Sequence, residues 1–259
     1  MRHLPIIGRI FYSIAIVAMG LQTIYTRRLP YMLIPPTHLS PTTISALAYV
    51  IGSILFLTGI SIAFNKTARL ASLLSGCLLL LVFCFGFIPY ELLADPNYLQ
   101  FGAWENAEKE LALSSGAFVI AGCFKGALSN KLYSRVLSFG SILFALTVLC
   151  FGTDHLLYAK DAADYVPVWV PNHIFWIYFT GIALIGSGLT IILKIKPALF
   201  ATLLGLMIFT WFIILHIPKV IEAPSAAEMR GELTSALLAL AYSGTAFVIA
   251  TSTKIENKG

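Results

Sequence analysis

Eight long apolar segments constrain this chain more than any other feature of its sequence. A helix needs about 20 consecutive apolar residues to cross the hydrocarbon core of a bilayer. Apolar residues surround each segment instead of alternating along it, which argues against the strands of a β-barrel. We therefore predict an all-α polytopic membrane protein with eight transmembrane helices, at residues 7–25, 43–64, 68–88, 108–125, 133–153, 173–193, 197–217 and 233–253.

The composition favours a membrane protein and argues against a nucleic-acid-binding one. Only 11% of the 259 residues are charged, whereas a soluble domain carries about 25%. The net charge is +5, but no cluster of Lys and Arg is longer than the pair Arg27–Arg28. We therefore expect the lipid bilayer as a partner and no nucleic acid, with the positive charges in the loops orienting the helices.

The distribution of positive charge predicts the orientation of the helices. With the N-terminus in the cytoplasm, eleven of the 17 Lys and Arg residues fall on the inner side. The six on the outer side are Arg27, Arg28, Lys109, Lys160, Lys219 and Arg230. Because cytoplasmic loops carry the excess of positive charge, both termini are expected in the cytoplasm. The outer connections are also the longer ones, so we expect the functional site on the outer face.

The chain contains an internal repeat with an offset of 129 residues. The segment Leu111–Ala121 aligns with Leu240–Ala250, and Ile88–Pro89 aligns with Ile217–Pro218. Glycines also align in pairs, such as Gly59 with Gly188, which is typical of close helix contacts. Each copy has four spans, an even number, so the sequence predicts two parallel four-helix repeats, residues 1–128 and 129–259.

Titratable side chains near the outer surface are concentrated in the second repeat. His155, His173 and His216 align with Thr23, Ile44 and Phe87, which cannot titrate there. Asp154, next to His155, aligns with Gln22 once the longer loop after the first helix is allowed for. We therefore expect any chemistry within residues 132–253.

Prolines bracket an apolar turn on the outer side of the second repeat. The segment Pro167–Pro171 reads Pro-Val-Trp-Val-Pro, and a span with the small pair Thr180-Gly181 follows it. Proline excludes a regular helix within this turn. The pattern resembles the DoxX family of bacterial membrane proteins, in which a Gly-x-x-His segment precedes a turn of this kind.

The resemblance is good over residues 134–195 and modest over 9–64. It implies a four-helix antiparallel unit in the bacterial cytoplasmic (inner) membrane, here doubled. The family name comes from a subunit linked to thiosulfate:quinone oxidoreductase, so the resemblance implies a quinone as the cofactor to consider. The family positions present in this chain are Gly152, His155, Pro167, Trp169 and Pro171.

Asp154 and His155 are the candidate proton-handling residues, with the Asp154 carboxylate orienting the imidazole. His173 and His216 are candidates for ligand binding near them. All four together could also hold a metal ion, or they could be structural. Their spacing matches no metal-binding motif, so we predict no metal.

Two further sets of residues are candidates for ligand binding. An apolar pocket lined by Trp169, Trp176 and Tyr178 could hold a quinone head group or another amphipathic molecule. An aromatic belt at the membrane interface explains these side chains equally well. Arg27 and Arg28 could bind an anion, although snorkelling at the interface is the simpler interpretation.

Three functions remain open at this point. A DoxX-like component of quinone-linked redox metabolism would exchange protons through His155 at the outer mouth of the second repeat. A non-catalytic subunit would scaffold a protein partner on the outer face or in the membrane. A binding or carrier protein would hold an amphipathic small molecule or a lipid.

Overall fold

The computed structural model describes residues 3–65, 67–124 and 130–256, and only the backbone of 130, 131, 133 and 252–256. These ranges contain helices and no strand. The predicted boundary between the repeats, after residue 128, lies outside the described residues. The eight long helices are α1 Leu4–Thr26, α2 Pro41–Phe64, α3 Ala68–Leu93, α4 Glu105–Cys123, α5 Asn130–Leu157, α6 His173–Ile192, α7 Pro197–Glu222 and α8 Ala226–Glu256.

Local sequence signals explain where several of these helices begin and end. Proline is the first residue of α2 and of α7, where its missing N–H costs nothing. Ser40 caps α2 by accepting a hydrogen bond from the backbone N–H of Thr43 at 3.2 Å. Arg27 and Asn65 follow α1 and α2 in the left-handed conformation that ends a helix sharply, with φ of 53° and 61°.

Seven of the long helices in the described ranges are long and apolar enough to cross a membrane. The exception is α4, which corresponds to the predicted span 108–125 and begins at Glu105. Its first six residues include three glutamates and one lysine, and its uncharged part, Leu111–Cys123, is about 20 Å long. The hydrocarbon core is about 30 Å thick. Hydropathy alone therefore supports seven spans and leaves the eighth open.

Helices α3 and α7 each contain one π-helical turn, at Phe83–Phe87 and Phe212–His216. Both turns directly precede an Ile-Pro pair, Ile88–Pro89 in α3 and Ile217–Pro218 in α7. Proline has no N–H to give to the preceding turn, so the helix widens before it. The N–H of Ile88 consequently reaches back five residues, to the carbonyl of Phe83, and Ile217 does the same with Phe212.

Helices α4 and α8 pack against each other in the centre of the bundle. In α8, 89% of the most apolar 18-residue window is buried, and the described part of α4 from Ala112 to Gly122 is buried throughout. The other six helices surround this pair and expose many large apolar side chains, such as Phe64 and Phe85. An apolar exterior of this extent is typical of a surface that faces lipid.

The packing is symmetric under exchange of α1–α4 with α5–α8. Helix α1 packs along α2 and α8, and α5 packs in the same way along α6 and α4. Helix α3 packs along α4 as α7 packs along α8. Each half therefore contributes its first helix to a contact with the last helix of the other half.

Individual hydrogen bonds follow the same exchange. The Ser114 hydroxyl donates to the carbonyl of Gly76 at 2.9 Å, and the Ser243 hydroxyl donates to the carbonyl of Gly205 at the same distance. Both residues of the second pair lie 129 positions after those of the first, the offset found in the sequence.

Glycines allow the helix backbones to meet directly. A Cβ atom added to Gly20 of α1 would lie 2.5 Å from the Phe56 nitrogen and 2.6 Å from the Gly52 carbonyl oxygen of α2. Gly152 of α5 faces Gly181 of α6 in the equivalent crossing. Side chains larger than hydrogen at these positions would separate the helices.

We predict that Gly20→Ala destabilises the protein by about 1–3 kcal/mol, because the new methyl group overlaps the backbone of α2. Thermal unfolding of the protein in detergent measures the change. Gly186→Ala is the matched control, since a Cβ atom there meets no atom within 4 Å. An equal loss of stability in both variants would contradict the tight crossing.

Candidate functional site

Asp154 and His155 lie in the last turn of α5, at the predicted outer end of the bundle. The Nδ1 atom of His155 is 2.7 Å from the carbonyl oxygen of Phe151. Because a carbonyl can only accept, Nδ1 carries the hydrogen, and Nε2 is the nitrogen able to accept a proton. The imidazole stacks on Trp211 of α7, with ring centroids 5.8 Å apart and planes inclined by 14°.

His216 belongs to the π-helical turn of α7, and its Nδ1 atom is buried without a hydrogen-bond partner. Lys109 of α4 and Lys219 of α7 are its charged neighbours. His173 is the half-buried first residue of α6. Within the described residues, it makes no hydrogen bond or ring contact with the other two histidines.

Charged residues in the first turn of α4 lie near Asp154, His155 and His216. Glu105 and Lys109 form an ion pair with 2.7 Å between Nζ and the carboxylate. Glu105 acts electrostatically on both Asp154 and His155, and Lys109 on Asp154 and His216. Of the predicted site residues, Asp154, His155 and His216 are therefore grouped around the outer end of α4, and His173 is apart from them.

Glu108 of α4 is the residue that the sequence analysis missed. Its carboxyl group lies beside the Asp154 carboxyl and the Cys150 thiol of α5. Glu108 is only 7% exposed, and one of its oxygens and both oxygens of Asp154 are buried without a hydrogen-bond partner. Two carboxyl groups this close repel each other when both are ionised, so the pair is suited to hold a proton.

An apolar cleft of about 320 Å³ adjoins this pair of acids. Helix α4 forms its floor, with α3 and α5 on either side and the short helix Phe101–Trp104 at its outer end. Glu108, Thr147 and Cys150 are the polar residues at its edge, and the wall itself is almost wholly apolar, with Phe83, Phe101, Trp104, Leu111 and Leu146 among its lining residues. An apolar cleft with a few convergent polar groups is typical of a small-molecule site.

The aromatic residues predicted to line a pocket lie elsewhere. Trp169 is 70% exposed in the outer turn, and Trp176 and Tyr178 are also exposed, on α6. Arg27 and Arg28 are exposed at the end of α1. No group of three or more His, Cys, Asp and Glu side chains among the described residues is arranged to hold a metal ion.

The outer turn of the second half contacts the end of α7. The Lys219 ammonium lies 4.2 Å from the centre of the Tyr165 ring, a cation–π contact. Burial raises the pKa of Tyr165, and the carboxylates of Glu232 and Glu105 raise it further. Tyr165 therefore stays a neutral phenol in the ordinary pH range and presents an uncharged ring to Lys219.

The other half of the molecule provides an internal comparison for Asp154. Its aligned residue, Gln22 of α1, donates from Nε2 to the Arg230 carbonyl at 2.8 Å and to the Thr234 hydroxyl at 3.0 Å. Thr234 in turn aligns with Glu105. The same position is thus a hydrogen-bonded neutral amide in one half and an unpartnered acid in the other.

Comparison with known proteins provides no relative from which a role could be transferred: no family model, no curated protein and no solved structure matches this chain.

One sequence signal could have revealed Glu108. The aligned residue in α8 is Leu237, whereas α4 has Glu105, Glu108, Lys109 and Glu110 before the repeated motif starts. The predicted span 108–125 includes Glu108, Lys109 and Glu110 at its outer end, where charged side chains are common, so none of them was a candidate for the site. The structure instead extends α4 to Glu105 and buries part of them.

We predict that Asp154→Asn stabilises the protein by about 1–3 kcal/mol at pH 8, because the amide removes one unpartnered carboxylate and supplies a donor to Glu108. Thermal unfolding in detergent measures the effect. Asp161→Asn, at an exposed position, is the control and should leave stability unchanged. Loss of stability in Asp154→Asn would refute the proximity of two competing acids.

Proposed function

We propose that all eight helices span the bilayer as two parallel four-helix repeats, residues 1–128 and 129–259, with both termini in the cytoplasm of a bacterial inner membrane. The symmetric packing and the paired Ser–Gly hydrogen bonds support the repeat. Helix α4 contacts α3, α5 and α8, which separate its polar residues from lipid and reduce the cost of embedding them.

A reporter at each end of the chain tests the number of spans. Eight crossings place both termini on the cytoplasmic side, so alkaline phosphatase fused to the C-terminus should be inactive and green fluorescent protein fused there should fluoresce. With seven crossings the two termini would lie on opposite sides. An active C-terminal phosphatase together with a cytoplasmic N-terminus would exclude α4 as a span.

We further propose that the protein binds an amphipathic molecule in the cleft between α3, α4 and α5, and that Glu108 and Asp154 exchange a proton with its head group. The observation that carries this proposal is that Glu108 lines the cleft and has a buried carboxyl oxygen without a hydrogen-bond partner, with the Asp154 carboxyl beside it. Leaving such groups unpaired costs about 1–3 kcal/mol each, and a ligand that hydrogen-bonds to them would recover that cost.

A quinol is the ligand class that this chemistry fits best. Its hydroxyls can donate to a carboxylate, and the carbonyls of the corresponding quinone can accept from a protonated carboxyl, so a pair that shares one proton suits both forms. The Trp104 and Phe101 rings offer faces for the ring of the head group, and the apolar wall suits its tail. The resemblance of residues 134–195 to the DoxX family favours the same class of ligand.

The geometry assigns different roles to the neighbours Asp154 and His155. Asp154 lies beside Glu108, which lines the cleft, whereas His155 stacks on Trp211 of α7. Glu105 is close to both. In this proposal Asp154 and Glu108 contact the ligand, and His155 takes the released proton on Nε2 towards the outer surface.

Fluorescence quenching by a short-chain quinol tests the site. Binding should quench Trp104, so the Trp104→Phe variant should lose that part of the signal. Glu108→Gln should raise the Kd at least tenfold, about 1.4 kcal/mol, because the amide cannot take a proton. The exposed Glu222→Gln is the control and should bind as the wild type does.

Two results would count against the proposal in different ways. Binding of a long-chain alkylamine but not of a quinol would identify the ligand as an amphipathic cation. If neither probe quenches Trp104, the cleft is not a ligand site, and scaffolding of a partner through the outer segments becomes the better account.

A further inference from the structure

Glu110 is a second buried acid, and it does not belong to the cleft. It lies on α4 two residues after Glu108, and its neighbours are Tyr12 of α1 and Tyr242 of α8. The side chain is 0% exposed, and neither carboxyl oxygen has a hydrogen-bond partner. An ionisable residue with no partner inside a helix bundle is a candidate functional group by itself.

The hydroxyl hydrogens of both tyrosines are already engaged in hydrogen bonds to backbone carbonyls. Tyr12 donates to the carbonyl of Leu113 at 2.9 Å, and Tyr242 donates to the carbonyl of Lys109 at 2.7 Å. A phenol has a single O–H, so both oxygens remain available to Glu110 only as acceptors. An ionised Glu110 would therefore have no described donor for its buried carboxylate, whereas a protonated carboxyl carries no charge and is less costly to bury.

The fold does not need polar groups at this place. The aligned residues of Tyr12, Glu110 and Tyr242 in the other half are Phe144, Ala239 and Leu113. All three are buried and apolar, and they occupy the equivalent contact between α5, α8 and α4. The same packing is thus made without any polar atom, so stability of the bundle does not account for Glu110.

Among the side chains that the structure describes, no fixed positive charge compensates Glu110. On its own helix, Lys109 is paired with Glu105 at the outer end. On α5, Cys150 and Asp154 face Glu108. The described titratable groups that face Glu110 from α1 and α8 are the two tyrosines, both of which are neutral donors to backbone carbonyls.

We propose that Glu110 is a proton-binding site in the centre of the bundle, distinct from the ligand cleft and formed where α1, α4 and α8 close around it. The carboxylate takes one proton from a hydronium ion of the solvent: an O–H bond forms on Glu110, an O–H bond of the hydronium breaks, and a water molecule is left. Release of the proton requires the three helices to separate enough for water to solvate the carboxylate. Closure of the bundle and protonation of Glu110 are therefore coupled.

Infrared spectroscopy of the whole protein in detergent at pH 8 tests the proposal. The wild type should show a C=O stretching band of a protonated carboxylic acid that is absent in Glu110→Gln. This band should persist in Glu108→Gln, the matched control on the same helix. If Glu110→Gln instead removes a carboxylate band, or if Glu108→Gln removes the same acid band, the proposal is wrong.

A second variant leaves Glu110 in place and guards against a folding defect in Glu110→Gln. Glu91 is the other buried glutamate of the described chain without a partner. The double variant Glu91→Gln/Glu108→Gln, labelled with ¹³C at glutamate, should therefore retain one protonated glutamate band at pH 8. Absence of that band would overturn the proposal. Conversion of the band to a carboxylate band when sodium replaces choline in the buffer would also overturn it, because Glu110 would then bind a sodium ion and not a proton.

The dependence of stability on pH provides an independent readout. A buried acid that holds its proton in the folded state stabilises that state at low pH, and this contribution is lost as pH rises. Thermal stability of the wild type should therefore fall more steeply with rising pH than that of Glu110→Gln. Equal slopes would contradict the coupling even if quinol binding to the cleft were confirmed.

Discussion

Close packing of small residues between α4 and α8 is the contact on which the rest of the bundle depends. Lipid chains are as apolar as leucine, so helices in a membrane gain little from apolar burial and associate through tight packing. A Cβ atom on Gly116 of α4 would lie 2.6 Å from the Thr245 hydroxyl of α8 and equally close to the Tyr12 ring. The repeated segments Leu111–Ala121 and Leu240–Ala250 thus meet at the centre.

The central position of α4 and α8 changes which side chains these helices can carry. The six surrounding helices need apolar side chains on their exposed faces, and the described parts of them have such faces. Helix α4 is separated from lipid by its neighbours, so the cost of a polar side chain depends on the partners that those neighbours provide. Glu105 has Lys109 as a partner, whereas Glu108 and Glu110 retain oxygens without one.

Hydropathy predicts much of this fold because the apolar surroundings of seven helices determine which side chains those helices carry. The all-helical class, the apolar segments and the glycine pairs follow directly from the sequence, and the offset of 129 residues reappears in the Ser–Gly hydrogen bonds. The exchange of α1 and α5 between the halves could not be predicted. The pairing of helices depends on which glycine-rich and alanine-rich helix faces fit each other in shape. The order of apolar and polar residues along the sequence does not contain that information.

The candidate site was only partly predictable for a related reason. Asp154 and His155 stood out because their aligned residues cannot ionise, and both lie in the last turn of α5. Glu108 and Glu110 lie in the first turn of the predicted span 108–125, and they were not candidates for the site because charge normally marks the end of a membrane span. That rule assumes lipid on every side of the helix. It fails for α4, whose polar residues face α5, α1 and α8.

The two halves differ in charge far more than in packing. Gln22 donates a hydrogen bond to Thr234 where the aligned residues are the acids Asp154 and Glu105, and leucine and alanine stand in α8 where α4 has Glu108 and Glu110. If these acids served only to hold the helices together, the half without them should pack differently, yet its contacts are equivalent. The acids therefore add a property that the bundle does not need for folding: Glu108 adds it at the contact of α4 with α5, and Glu110 adds it at the contact of α4 with α1 and α8.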